Sequence, residues 1–127
     1  MRVLIAEDDA AILDILTIIL QGEGYEVITA KDGETAEALA REQAPHLAIL
    51  DLMMPRLNGF EVTRRLRACP ELAGLKIALI SALSQETVRA QNMHMWVDTF
   101  LVKPFDIHQV IQAVRTLIGP AKEVTST

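Results

Sequence analysis

The sequence has little cysteine, few aromatic residues and no long hydrophobic run. Its one cysteine, Cys69, cannot form a disulfide within the chain, which excludes a secreted disulfide scaffold. No apolar stretch approaches the roughly 18 residues of a membrane-spanning helix. Residues 1–6 are too short for the apolar core of a signal peptide, and no small-residue cleavage pattern follows them. We therefore expect no membrane association and a cytoplasmic location, in a reducing compartment.

Length and charge narrow the class of protein further. A chain of 127 residues corresponds to one domain by the usual length relation. A count of 12 basic against 17 acidic residues gives a net charge of −5, which argues against direct nucleic-acid binding, since that usually needs a basic surface. Only 4% of the residues are aromatic, so the core must consist of aliphatic residues and methionine. We expect residues 1–119 to form the domain and residues 120–127 to be a polar tail or a linker stub.

Short apolar runs alternate with segments of helical periodicity along the chain. The five runs lie at residues 3–6, 27–30, 47–50, 77–80 and 100–102. None alternates with polar residues, which is typical of parallel strands buried on both faces. Repeated strand–helix units predict an α/β fold with helices on both faces of a parallel sheet. We expect a flavodoxin-like, doubly wound, five-stranded sheet in the order 2-1-3-4-5, with five helices in a three-layer αβα arrangement.

Capping residues and apolar spacing place the helices between the strands. Asp9, Asp32 and Asp106 are expected to cap the first, second and fifth helices, and the third helix begins near Asn58. The fourth helix, at about residues 85–95, is the weakest prediction because its apolar positions form no clean stripe. In the first helix the spacing i, i+3, i+4, i+7 predicts a core-facing stripe of Ile12, Ile15, Leu16 and Ile19.

Polar residues that could form one site follow the first, third, fourth and fifth apolar runs, at the points where strands end. They are Glu7, Asp8 and Asp9 after the first run, Asp51 after the third, Ser81 after the fourth and Lys103 after the fifth. In a sheet of the predicted order these strand ends are neighbours, and ligands bind at this edge. We therefore expect carboxylates, one hydroxyl and one ammonium to share a small site, with Asp9 assigned to the helix cap.

Clustered carboxylates limit what such a site does. Two unit charges about 4 Å apart repel by roughly 1 kcal/mol in water and roughly 4 kcal/mol at an effective dielectric constant of 20. The carboxylates must therefore share protons or bind a cation, and one lysine does not neutralise all of them. Mg²⁺ prefers carboxylate, water and phosphate oxygens. A carboxylate beside Mg²⁺ and lysine can attack phosphorus and form an aspartyl phosphate.

Several stretches of the sequence together carry a family resemblance. The chain resembles the receiver domains of response regulators in two-component signalling and is similar to the chemotaxis response regulator, with the matching residues in family order and spacing. The resemblance covers about residues 2–118. The matching stretches lie at residues 3–9, 24–27, 30–33, 50–55, 58–59, 80–82 and 101–105.

The resemblance implies a role for each site residue. Asp51 would be the phosphoacceptor, and Lys103 would pair with the phosphoryl group. Asp8 and Asp51 would bind Mg²⁺ directly, Glu7 would bind it through a water, and the backbone carbonyl of Met53 would be a further ligand.

The resemblance also implies how the signal is passed on. Ser81 and Phe100 occupy the switch positions, so phosphorylation would draw Ser81 toward the phosphoryl group while Phe100 turns inward. That change would reshape a partner-binding face made by the fourth helix, the fifth strand and the fifth helix. The bond between Lys103 and Pro104 is expected to be cis, as in the family.

We expect a phosphorelay signalling module, not an enzyme with a separate substrate. It would take a phosphoryl group from a sensor histidine kinase or a phosphotransfer protein, and would catalyse only its own phosphorylation and slow dephosphorylation. Its target would be a downstream protein or an output domain, and dimerisation on phosphorylation stays open. One alternative is a receiver-fold scaffold that is never phosphorylated. Another is an Asp-nucleophile phosphatase, but the Asp-x-Asp motif after the first strand is missing.

Some positions depart from the family pattern. Trp96 and Val97 stand where receivers commonly have Gly-Ala, so we expect an altered end to the fourth helix, with Trp96 partly exposed beside the partner-binding face. Met53 and Leu83 are apolar where the family orients the hydrolytic water, which predicts slow self-dephosphorylation. A local run of arginines is interpreted as a solvated face of the third helix: Arg56, Arg64, Arg65 and Arg67.

Overall fold

The computed structural model describes residues 1–82, 89 and 92–121. Its sheet has five parallel strands in the order β2-β1-β3-β4-β5, as the sequence predicts. The strands are β1 (Arg2–Ala6), β2 (Glu26–Ala30), β3 (Leu47–Asp51), β4 (Lys76–Ser81) and β5 (Thr99–Val102). The helices are α1 (Ala10–Gly22), α2 (Gly33–Gln43), α3 (Gly59–Arg67) and α4 (Ile107–Ile118). Helix α4 is the one predicted from the sequence as the fifth.

The predicted fourth helix falls largely on residues that the structure does not describe. Residues 83–88, 90 and 91 lie outside the described part, as do residues 122–127 of the expected tail, so four α-helices are seen among the described residues. Met93–Met95 form a 3-10 turn, and Asn92 before it has a positive φ of 58°. The chain thus reaches Trp96 through a turn whose left-handed residue is an asparagine.

Side-chain caps begin the helices where the sequence predicts. Asp9 accepts hydrogen bonds from the backbone N–H groups of Ala11 and Ile12 at the start of α1. Asp32 does the same for Thr35 in α2, and Asp106 forms a reciprocal capping box with Gln109 in α4. Each cap satisfies N–H groups that the helix itself leaves without acceptors, which is why the strand-to-helix connections are sharply defined.

The helices cover both faces of the sheet, which confirms the three-layer arrangement. Helices α2 and α3 enclose one hydrophobic cluster against the sheet, through residues such as Ala36 and Val62. Helices α1 and α4 enclose a second cluster on the other face, through residues such as Leu16 and Val110. No helix among the described residues has the length and apolar character needed to span a bilayer.

The burial of the strands differs from the sequence expectation at the two sheet edges. Strand β3 is buried throughout, and β1 and β4 are buried except for an exposed first residue. Strands β2 and β5 are partly exposed. The expectation of burial on both faces is therefore wrong for β2 and β5. Both lie at the ends of the strand order, where a neighbouring strand is present on one side only.

The buried face of α1 also differs from the predicted one. The buried residues are Leu13, Leu16 and Leu20, whereas Ile15 is exposed and Ile12 and Ile19 are only half-buried. Ile12, Leu16 and Ile19 all pack against the core, so the predicted stripe is wrong at Ile15. Helix α1 is apolar at so many positions that helical periodicity alone does not single out one face.

We predict that Ala44→Gly raises the free energy of unfolding by about 1 kcal/mol, because a side chain in the left-handed region costs about that much. Ala44 ends α2 with a φ of 44° and is exposed, so no packing is lost. The matched control is Ala68→Gly at the end of α3, where φ is −77° and glycine should lower the stability. Urea unfolding of both variants measures the two shifts, and a loss of stability in Ala44→Gly would contradict the prediction.

Candidate functional site

Three carboxylates meet at the carboxyl edge of the sheet. Glu7 and Asp8 directly follow β1, and Asp51 is the last residue of β3, which pairs with β1. One carboxylate oxygen from each of the three lies within 4.8 Å of the others. Glu7 and Asp51 are buried, whereas Asp8 is exposed. The site is therefore open to solvent on the side of Asp8 and closed behind Glu7.

Lys103, which directly follows β5, contributes an ammonium group to this cluster. Its Nζ lies 3.0 Å from Oε1 of Glu7 and 3.5 Å from Oδ2 of Asp51. The backbone N–H of Lys103 donates to the carbonyl of Ser81 at 2.8 Å, which extends the β4–β5 pairing up to the lysine. Strand pairing alone thus brings Lys103 to the two buried carboxylates, across a wide separation in sequence.

Burial and neighbouring charges shift the pKa values of Glu7 and Lys103. Burial raises the pKa of Glu7, and the adjacent Asp51 carboxylate raises it further, while Lys103 and the N–H of Asp9 act in the opposite direction. Burial by itself would lower the pKa of Lys103, but the contact with Glu7 and the charge of Asp51 outweigh it and raise that pKa. Lys103 is therefore held as a cation, and Glu7 resists ionisation as long as no further positive charge is present.

The donor atoms of the cluster fit a hard divalent cation. Oε2 of Glu7 accepts the N–H of Asp9 at 3.2 Å, but Oε1 has no hydrogen bond of acceptable geometry in the described structure, although the Lys103 ammonium is at ion-pair distance. A buried carboxylate oxygen without a hydrogen bond is costly, and a cation or its water satisfies it. Three carboxylates beside one ammonium also leave excess negative charge, which Mg²⁺ would balance through oxygen ligands.

The remaining predicted site residues surround Asp51. The backbone N–H of Met53 donates to Oδ1 of Asp51 at 3.3 Å, while the Met53 side chain is 70% exposed. Ser81 is buried at the end of β4, next to the residue that pairs with Asp51. Phe100, on β5, is half-buried against the cluster under α2 and α3. The Lys103–Pro104 peptide bond is cis.

Gly59 has a structural role at this site that motif spacing alone does not explain. A Cβ atom at this position would lie 2.5 Å from the backbone oxygen of Asp51 and 2.9 Å from Cδ1 of Leu79. The N–H of Gly59 also donates to the carbonyl of Leu52 at 3.0 Å. Only glycine lets the start of α3 approach the backbone of Asp51 this closely, and the Asn58-Gly59 pair is the sequence signal that marks it.

The family comparison agrees with this fold and site. The family described as the response regulator receiver domain matches residues 3–115. The chain belongs to this family and is therefore a receiver domain, a signalling domain of two-component systems, with an acidic site that fits Mg²⁺ and an aspartyl phosphate.

Curated relatives are longer regulators. The DNA-binding dual master transcriptional regulator RpaA of a Synechocystis species is 39% identical over 117 residues, which are 92% of this chain and 48% of RpaA. The phosphate regulon transcriptional regulatory protein PhoB of Rhizobium meliloti is 36% identical over 127 residues, 99% of this chain and 56% of PhoB. The chain thus spans about half the length of these relatives.

Solved structures of similar proteins have the same fold. The chemotaxis response regulator CheY4 of Vibrio cholerae superposes with a TM-score of 0.85 at 26% identity, covering 92% of this chain and 98% of that one. The response regulator TrrA of Thermotoga maritima, solved in complex with Mg(2+)-BeF, gives a TM-score of 0.83 at 32% identity, again covering 92% and 98%.

We predict that Gly59→Ala lowers the free energy of unfolding by about 2 kcal/mol or more, because the added methyl group overlaps the backbone of Asp51 and a buried leucine. Gly22→Ala is the matched control, since its Cβ would meet nothing within 4 Å at the end of α1. There alanine should leave the stability unchanged or raise it by up to about 1 kcal/mol. Thermal and urea unfolding compare the two variants, and equal stabilities would show that the close approach at Asp51 is unimportant.

Proposed function

We propose that this receiver domain accepts a phosphoryl group on Asp51 from a histidine kinase or a phosphotransfer protein, in a reaction that depends on Mg²⁺. The observation that carries the proposal is the position of Asp51. Its carboxylate shares a cluster with Glu7 and Asp8, and its Oδ2 lies 3.5 Å from Nζ of Lys103. A nucleophile that gains negative charge needs this kind of compensation on its oxygen atoms.

The transfer step uses groups that are already adjacent. A carboxylate oxygen of Asp51 attacks the phosphorus atom, the phosphorus–nitrogen bond of a donor phosphohistidine breaks, and the donor imidazole leaves with the bonding electron pair and takes up a proton. The product is an acyl phosphate on Asp51. Lys103 is placed to hold a phosphoryl oxygen, because its ammonium already contacts the carboxylate that receives the group.

The acidic residues would hold the metal ion in this proposal. Asp8, Asp51 and the carbonyl of Met53 would bind Mg²⁺ directly, and Glu7 would bind it through a water. When bound, the ion supplies charge compensation to the transferring oxygens. The exposed position of Asp8 leaves a path from solvent, and Oε1 of Glu7, which pairs with Lys103 but has no well-formed hydrogen bond, would give a metal-bound water an acceptor.

The response to phosphorylation would pass through β4 and β5. Ser81, at the buried end of β4, would turn to the new phosphoryl oxygens, and Phe100 would move further into the core from its half-buried position. This would change the face made by β5, α4 and the predicted fourth helix, of which residues 83–88, 90 and 91 lie outside the described structure. A two-state surface of this kind converts one charge change into a change of partner.

We further propose that residues 1–119 form the receiver domain and that residues 120–127 are a tail or a linker to an output domain. Support comes from the family match over residues 3–115 and from longer relatives such as RpaA, described as a DNA-binding regulator. The net charge of −5 favours a receiver that acts on a protein or an output domain without touching nucleic acid itself. The proposal places the protein in the cytoplasm. It leaves open whether the protein dimerises when it is phosphorylated.

We predict that acetyl phosphate with Mg²⁺ adds one phosphoryl group to the protein, measured as intact mass. Asp51→Asn should abolish the gain because it removes the nucleophile, and chelation of the metal should slow it strongly. The control is Asp14→Asn, the same chemical change at an exposed position on α1. If the wild-type protein stays unmodified, the non-phosphorylated scaffold is favoured. Continuous release of phosphate at every turnover would instead indicate a phosphatase.

We predict that Met53→Asn shortens the lifetime of the phosphoryl group several-fold. The Met53 side chain is exposed next to Asp51 and has no group that could orient a water, whereas an amide does. The control is Met95→Asn, which changes an equally exposed methionine in the turn before β5. The decay of the phosphorylated mass after donor removal measures the lifetime, and equal decay in both variants would contradict the prediction. Leu83, the second apolar position, lies outside the described residues.

A further inference from the structure

The arginines around α3 do not form the uniform solvated face that the sequence suggests. Three of the four pair with carboxylates from other parts of the chain: Arg56 with Glu34 at 3.6 Å, Arg65 with Glu37 at 3.2 Å and Arg67 with Asp98 at 2.8 Å. Arg64 has no carboxylate within ion-pair distance among the described residues. Its guanidinium carbon lies 5.9 Å from the centre of the Trp96 ring instead.

Trp96 lies against the outer side of α3 and stays partly exposed. The side chain is 40% exposed, as the sequence predicts, and its ring meets that of Phe60 edge-on with centroids 6.4 Å apart. Together with Arg64, Arg65 and Ala68 it lines a groove, which we call the Arg64–Trp96 groove. The groove is formed on α3. The expected position of Trp96 beside the partner-binding face stays a prediction, because most of the predicted fourth helix lies outside the described residues.

The backbone that carries Trp96 is held firmly by Arg67. The Arg67 guanidinium donates to the carbonyls of Trp96 and Leu75, at 3.0 and 2.6 Å, and to Oδ2 of Asp98 at 2.8 Å. The same Asp98 oxygen accepts the N–H of Ile77 at 2.8 Å. Because these hydrogen bonds hold the backbone at Trp96 in place before any partner arrives, binding at the groove orders less of the protein main chain.

The groove presents hydrogen-bond donors to solvent. Within the described part of the chain, neither the Arg64 guanidinium nor the indole N–H of Trp96 has a hydrogen-bond acceptor. Neither group can act as an acceptor. The nearby Glu61 is engaged in the cap of α3, where its Oε1 accepts the N–H of Asn58 at 3.1 Å. A carboxylate, which only accepts, complements both donors, and the face of the indole suits an apolar side chain beside it.

We propose that the Arg64–Trp96 groove binds an acidic segment of a partner protein, with an aspartate or glutamate on Arg64 and an adjacent apolar side chain on Trp96. Tryptophan and arginine are the residue types that most often dominate binding energy at protein interfaces. The neighbouring Arg65 and Arg67 each pair with a carboxylate, Glu37 and Asp98 respectively. Arg64 is the arginine of the groove without a carboxylate partner among the described residues, so it offers its charge to a single acidic side chain. The residues that line the groove are separate from the acidic cluster of Asp51, so the proposal is testable on the unphosphorylated protein.

A random peptide library displayed on phage, selected against the whole chain, tests the proposal. The recovered peptides should be enriched in an acidic residue next to an aromatic or large aliphatic one. A synthetic peptide of the recovered sequence should change the fluorescence of Trp96, the single tryptophan of the protein. Arg64→Gln should weaken its affinity by about tenfold, which is the size of one well-formed charge pair.

The matched control is Arg115→Gln, the same change at an exposed arginine of α4 that pairs with Glu23. It should leave the affinity unchanged, and both variants should keep the wild-type unfolding transition and the phosphoryl gain on Asp51. Recovered peptides without acidic enrichment would overturn the proposal, as would equal binding by the two variants. The proposal would also be overturned if the selection against the protein enriched no peptide beyond those recovered in a control selection without protein.

Discussion

The structure depends on the proximity of two buried carboxylates, Glu7 and Asp51, at the edge of a parallel sheet. Strand pairing places them there, because β1 and β3 are neighbours and both end at the same edge. The contact of Lys103 with both groups offsets part of their repulsion, and the exposed Asp8 adds a further negative charge. The site therefore carries an excess of negative charge, which a divalent cation would balance.

Helix α3 connects this site with the rest of the molecule. It begins at Gly59, in direct contact with the backbone of Asp51, and ends at Arg67, which fastens the segment that leads into β5. Strand β5 then returns to the site with Lys103. Contacts from the two ends of α3 thus help to position both Asp51 and the segment that leads to Lys103.

The sequence predicts the local features well and the long-range side-chain pairs poorly. Apolar runs define the strands and acidic caps such as Asp9 define helix starts, because both depend on neighbouring residues. The buried face of α1 was predicted correctly at Ile12, Leu16 and Ile19 and wrongly at Ile15, since isoleucines and leucines occur around most of that helix. The pairing of Arg67 with Asp98 bridges residues far apart in the chain, so no spacing rule announces it. Arginines that look like one basic run in the sequence therefore acquire different partners.

The cost of the acidic cluster is itself an argument about function. Glu7 is fully buried, and one of its oxygens has no hydrogen bond in the described structure. Replacing buried ionic groups of this kind by apolar residues of similar volume often leaves a protein equally stable or makes it more stable. A scaffold that never met a cation or a phosphoryl group would therefore gain no stability from Glu7 beside Asp51. A divalent cation bound among these carboxylates would stabilise the cluster, which agrees with the acidic site expected of a receiver domain.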